Sequence, residues 1–127
     1  MGIITEEHRN LIEEVGLCYV ASATTDGAPN VSPKGSIAVL DEDHLVFAEI
    51  MSPHTRDNLQ QNPQVAVFVC KPEKFQGFQF KGTAELTSEG VVFDMLTQTI
   101  KDQKLPVPPP KHAVTIRVES VRALGES

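Results

Sequence analysis

The sequence predicts a mainly β domain in which six antiparallel strands close into a small barrel, with helices at its periphery. Three observations carry this. Short runs rich in β-branched residues follow one another through tight polar turns, which pairs neighbours antiparallel. The stretch Gly77 to Leu86 alternates strictly: Phe78, Phe80, Ala84 and Leu86 share one parity with Gly82, while Gln79, Lys81, Thr83 and Glu85 share the other. The first three strands succeed one another without helices between them, which disfavours a parallel sheet. Strands with so little edge protection favour closure.

In chain order, Thr5 caps a first helix whose apolar stripe is Ile4, Leu11, Ile12 and Val15, and Gly16 stops it. Leu17 to Thr24 is the first strand, and its Tyr19, the only tyrosine, reads as core. Asp26-Gly27 is a hairpin signal. Asn30 to Leu40 resumes as one irregular strand, placed at an edge or bulge by Pro33, which has no N–H for a ladder. Gly35 permits close approach to the backbone. After the polar turn Asp41-Glu42-Asp43, His44 to Ile50 is the third strand. A short helix runs from Pro53 to about Asn62. Val65 to Cys70 is apolar throughout and predicts a strand covered on both faces. Beyond the alternating strand, Ser88 caps a helix to Lys104 with Val92, Met95, Leu96 and Ile100 at helical spacing. Leu105 to Lys111, with Pro106, Pro108, Pro109 and Pro110, is a stiff extended connector. Ala113 to Arg122 is the last strand, and Ala123 to Ser127 reads as frayed.

The 127 residues suit a single domain, 1–127. Eleven basic against seventeen acidic residues give a net charge of -6, which argues against non-specific nucleic-acid binding. No apolar run approaches a membrane span, and the opening residues carry acids and no signal-like apolar region, so a cytoplasmic protein is expected. Cys18 and Cys70 lie in separate apolar runs and read as free thiols. The four histidines show no metal-ligand spacing, so no metal is expected.

One stretch stands apart: Ser52-Pro53-His54-Thr55-Arg56-Asp57-Asn58. Ser52 suits an N-cap and Pro53 the first helical position. The N–H groups that follow have no partner inside the helix, and such an end attracts phosphate. Thr55 adds a hydroxyl, Arg56 a planar fork and His54 a third donor. Leu59 is the only large apolar residue of this helix, so the helix gains little from burial. Its value lies in its end rather than its side.

The order of motifs resembles the pyridoxamine 5′-phosphate oxidase-like family of flavin-binding split barrels, in particular its small single-domain members. The matching segments are Asp26 to Gly35, Leu45 to Ile50, Thr55 to Val67 and Gly77 to Glu85, in family order. The resemblance implies a Greek-key split barrel and a homodimer with FMN in grooves between subunits. It implies that Val31, Ser32, Pro33, Lys34 and Gly35 lie near the flavin ring, with Lys34 a candidate cation beside N1 and the C2 carbonyl. It places the phosphate on the end of the third strand and the next helix start, at Glu49, Ile50, Ser52, His54, Thr55 and Arg56, with Asn58 bracing the turn. The chain also departs from the full oxidases. Their Arg-Lys pair at the phosphate turn falls on His54-Thr55 here, and the basic residues that grip the vitamin substrate have no counterpart motif near Arg117 or Arg122. The resemblance therefore implies an FMN-dependent oxidoreductase acting on another small molecule. The alternatives are a non-catalytic FMN carrier, a deazaflavin binder, or a haem binder using His54 or His112. No side chain reads as an obligatory catalytic acid or base.

Overall fold

The computed structural model describes residues 2–104 and 106–126. Leu105, expected to open the connector, and Ser127, expected to fray, lie outside the described residues. Seven strands form one antiparallel sheet: β1 (Cys18–Ala23), β2 (Pro29–Lys34), β3 (Ala38–Val39), β4 (His44–Glu49), β5 (Gln64–Lys71), β6 (Gln76–Thr87) and β7 (His112–Ala123). Three helices accompany them: α1 (Glu6–Val15), α2 (Pro53–Gln61) and α3 (Val91–Asp102). The spatial order is β2-β1-β5-β6-β7-β4-β3. A long connection through α2 carries the chain from β4 to β5, and the β5-β6-β7 meander ends with β7 beside β4, which is Greek-key connectivity.

The count is seven rather than six because the irregular second strand breaks at Gly35. Its first half, β2, pairs with β1 at one edge of the sheet, and its second half, β3, pairs with β4 at the other. Residues 35–37 alone join these edges, so Lys34 and Ala38 lie at most about 14 Å apart. The sheet must therefore curl round on itself, and the split in the barrel lies where the chain crosses between its edges.

The interior is filled by Val20, Leu45, Phe47, Val67, Phe80 and Ile116, all 1% exposed or less. Helix α1 closes one end with Leu11 and Ile12. A second apolar cluster, Val46, Ala48 and Ala113 with Leu96 and Ile100, seats α3 on the outer face of β4 and β7. The strand covered on both faces is thus β4, not β5. Only Val65, Val67 and Val69 of β5 are buried, and Ala66 and Phe68 face outward half-covered. Tyr19 is likewise not core, since the pleat turns it outward at 46% exposure. Helix α3 starts three residues beyond the expected Ser88 cap, after Gly90, whose φ of 105° favours glycine. The C-terminal stretch is not frayed through residue 126: Ala123 ends β7, and the Leu124 N–H donates to the Gly77 carbonyl at 2.8 Å. No helix of the described residues is long and apolar enough to cross a membrane.

His8 ties α1 to the core. Its backbone N–H donates to Thr5 Oγ1 at 3.3 Å, and its Nδ1 accepts from the Thr5 N–H at 3.0 Å, a reciprocal capping box. The ring packs edge-on to Phe78 and Phe80, with centroids 4.5 and 5.5 Å away. Burial holds the imidazole below its ordinary 6.5, with Glu7 opposing. A His charged more readily when unfolded contributes stability that is complete above 6.5 and lost as pH falls below it. His8→Gln keeps the cap acceptor without the titration. Urea unfolding of wild type should therefore weaken relative to His8→Gln below pH 6.5, with a difference slope of up to about 1.4 kcal/mol per pH unit. Parallel curves would refute this role for His8.

Candidate functional site

Strand β2 is an edge strand whose inward side chains, Asn30, Ser32 and Lys34, are polar. They face the first turn of α2. Asn30 Nδ2 donates to Thr55 Oγ1 at 3.2 Å, and the Ser32 and Thr55 hydroxyls lie 3.0 Å apart. Lys34 Nζ donates to Ser52 Oγ. From β1, Ser22 Oγ accepts from Asn58 Nδ2 at 3.2 Å. The face of α2 turned to the barrel is therefore held largely by polar bonds, with Leu59 its one buried large apolar side chain. This matches a helix whose sequence offers little apolar surface.

These bonds also reassign several expected roles. Ser52 occupies the N-cap position, but its hydroxyl makes no cap bond, because it accepts from Lys34 instead. Thr55 is fully buried and its hydroxyl is engaged by β2, so it shapes the turn and offers a ligand only its backbone N–H. The first intrahelical bond is Arg56 N–H to Ser52 O at 3.0 Å, which leaves the preceding N–H groups of His54 and Thr55 without a helical partner. His54 is exposed. Arg56 is half-buried, with Nε 3.2 Å from Asp57 Oδ1. Asn58 ties α2 to β1 through its bond to Ser22.

Lys34 and Glu49 are buried, at 8% and 1% exposure. Burial holds the Lys34 ammonium below its ordinary value, opposed by the charge of Glu49. Glu49 Oε2 accepts from the Ser52 N–H at 3.3 Å, and Oε1 lies 3.0 Å from His112 Nδ1. Burial pushes the Cys18 thiol up to about 12, which keeps it an inert thiol at neutral pH. Both cysteines are free, and no metal-ligating cluster occurs among the described residues.

Beside the α2 start opens a cavity of about 280 Å³. Its wall gathers Pro33, Lys34, Gly35 and Ile50 from the expected set. A Cβ on Gly35 would meet nothing nearer than the Gly16 carbonyl at 4.0 Å. Val31 and Ser32 do not reach this wall. Val31 is on the outer face at 66% exposure, and Ser32 points to Thr55. Sequence reasoning missed Ser36 and Ala48, neighbours of expected residues, and Met51, Gln103 and Val107, which join the wall from three separate segments. Ile100 also lines it and was legible only as an apolar helix position. Nothing local in the sequence marks such convergence.

The comparisons agree with this fold. A sequence model described as pyridoxamine 5′-phosphate oxidase matches residues 4–125. The chain belongs to the pyridoxamine 5′-phosphate oxidase family. An uncharacterized protein of Methanocaldococcus jannaschii is 32% identical over 120 residues, covering 93% of this chain and 78% of its own. Among solved structures, HupZ of Group A Streptococcus superposes with a TM-score of 0.86 at 29% identity, covering 95% of this chain and 94% of its own. A candidate pyridoxamine 5′-phosphate oxidase of Lactobacillus delbrueckii gives 0.78 at 27%, covering 96% and 95%. Within this family fold, the polar seam between β2 and α2 sets where the helix start stands.

That seam predicts a division of labour between neighbouring residues. Thr55→Val should destabilise the fold by about 1–3 kcal/mol, because it leaves Asn30 and Ser32 facing an apolar group. Arg56→Ala should stay within about 0.5 kcal/mol, its partner being an exposed Asp57. Denaturant unfolding of the two variants measures both, and equal losses would contradict the assignment.

Proposed function

We propose that the protein binds FMN in a groove between two copies of the chain and acts as an FMN-dependent oxidoreductase on a small molecule other than pyridoxamine phosphate. One observation carries this reading. Met51 lines an apolar cavity, and the chain runs directly from it into the cap residue Ser52 and then, within one helical turn, to the partnerless N–H groups of His54 and Thr55 and the Arg56 guanidinium. A ligand with a phosphate at one end and a flat ring at the other matches that pairing. The residues fit the group: His54 and Thr55 N–H with Arg56 suit the phosphate. Pro33, the open backbone at Gly35, Ala48, Ile50 and Met51 suit a ring.

FMN supplies hydride transfer when bound. The chain's part is orientation. The buried bonds to Thr55, Ser52 and Asn58 hold the phosphate-binding turn in place before a ligand arrives, so little ordering cost remains to be met on binding. The apolar wall keeps water from the ring. Lys34 is the one ionisable residue on that wall among the described residues. Among the described residues that wall carries no carboxylate or imidazole to serve a substrate, and this favours a second reading, an FMN carrier without turnover. Oxidation of reduced nicotinamide with an added acceptor separates the two readings.

The second copy fits the outer face of β2, β1 and β5. There the register sets Tyr19 beside Phe68 and Pro33, and Ala21 beside Val31 and Ala66. Tyr19 and Val31 are 46% and 66% exposed, an apolar patch of the kind that marks an interface. The cavity is just below the usual range of about 300–1,000 Å³ for small-molecule sites, consistent with a site whose remaining wall comes from a partner.

Fluorescence titration should give about one FMN per chain, with FMN preferred over riboflavin. Arg56→Ala should reduce that preference about 10-fold, the value of a charge-assisted contact. Equal affinity for FMN and riboflavin in wild type would remove the phosphate site. Val31→Asp should convert the dimer to monomer in light scattering and weaken FMN with it, because a ligand that needs the dimer stabilises it. A monomeric variant with full affinity would move the site out of the interface.

A further inference from the structure

Behind the proposed phosphate site runs a continuous buried chain from β2 to β7. Lys34 Nζ donates to Ser52 Oγ, the Ser52 N–H donates to Glu49 Oε2 at 3.3 Å, and Glu49 Oε1 lies 3.0 Å from His112 Nδ1. The connector is anchored at the same point, its Lys111 N–H donating to the Glu49 carbonyl at 2.9 Å. Lys34 lies against the Phe47 ring, 5.5 Å from its centroid. Glu49 is the buried acid of the fold's largest enclosed side chains. A buried carboxylate directly beneath a helix N-terminus is unusual for an anion site, because it repels the ligand that the helix end attracts. Solvent screens such a charge weakly. Lys34, a buried cation, joins this chain through Ser52 and makes no direct ion pair with Glu49, whose basic contact is His112.

Resting on the FMN reading above, we propose that Glu49 is a positioning residue, linked to Lys34 through Ser52, whose charge limits how strongly the helix start grips the phosphate of FMN. Glu49 acts at the phosphate through charge, and its bonds to Ser52 and His112 fix where that charge sits. A purely structural role predicts that every change at Glu49 or Lys34 weakens binding. A charge role predicts opposite signs.

The test is the ratio of riboflavin to FMN dissociation constants, measured by equilibrium titration at low salt. Riboflavin lacks the phosphate and reports everything except the charge effect. In Glu49→Gln the preference for FMN should rise about 10-fold, in Lys34→Met it should fall by a similar factor, and in the double variant it should return to within about 3-fold of wild type. A ratio that falls or stays constant in Glu49→Gln overturns the inference while leaving FMN binding intact. If Glu49→Gln alone fails to fold, the double variant is compared with Lys34→Met, and a ratio no higher in the double variant than in Lys34→Met overturns the inference as well. Wild type that does not distinguish FMN from riboflavin removes the phosphate reading itself, and this inference with it.

Discussion

The seam between β2 and α2 is the constraint on which the site depends. An edge strand carries one unpaired row of backbone groups and is the least secured part of a sheet. Here its inward side chains, Asn30, Ser32 and Lys34, are tied to Thr55 and Ser52 across 18 to 25 residues of sequence. In return α2, which has almost no apolar face, acquires a fixed place on the barrel. Each element is weak alone. Together they present a helix start with open N–H groups at a set position and angle.

That seam exists because of the way the sheet closes. Strand β2 belongs to one edge and β3 to the other, and three residues connect them. The cavity opens at this crossing, bounded by Gly35 and Ser36 from the link, Ala48 and Ile50 from β4 and its exit, and Ile100 from α3. Strand β4 is buried on both faces, by the barrel interior and by α3, so the chain leaves it toward Ser52 from a rigid base. Site geometry set by a doubly packed strand is more accurate than geometry set by a free loop.

The polar interior near α2 has a second consequence. Buried ionisable groups cost desolvation energy unless they are bonded and paired. Glu49, Ser52, Lys34 and His112 meet that requirement among themselves, and no buried side-chain polar atom among the described residues is without a partner. The network joins three stretches distant in sequence: β2, the end of β4 with the α2 cap, and β7. It accounts for a lysine and a glutamate in an interior that is mainly apolar.

The sequence by itself determined the antiparallel β class, the helix starts at Thr5 and Ser52, and the edge placement of Pro33. These follow from local rules: side-chain period, capping chemistry and the missing proline N–H. It also pointed to Arg56 and the first turn of α2, since that helix had no apolar face to justify it. Tertiary structure decided the rest. The break at Gly35 is a property of sheet closure, which no local pattern encodes. Tyr19 and Phe68 are apolar like core residues, and only pairing register turns them outward to one patch. Thr55 and Lys34 carry the right groups for a ligand, yet the fold assigns their side chains to Asn30, Ser32 and Ser52. A hydroxyl or an ammonium has the same chemistry wherever it stands, and what it binds depends on which distant segment folds beside it.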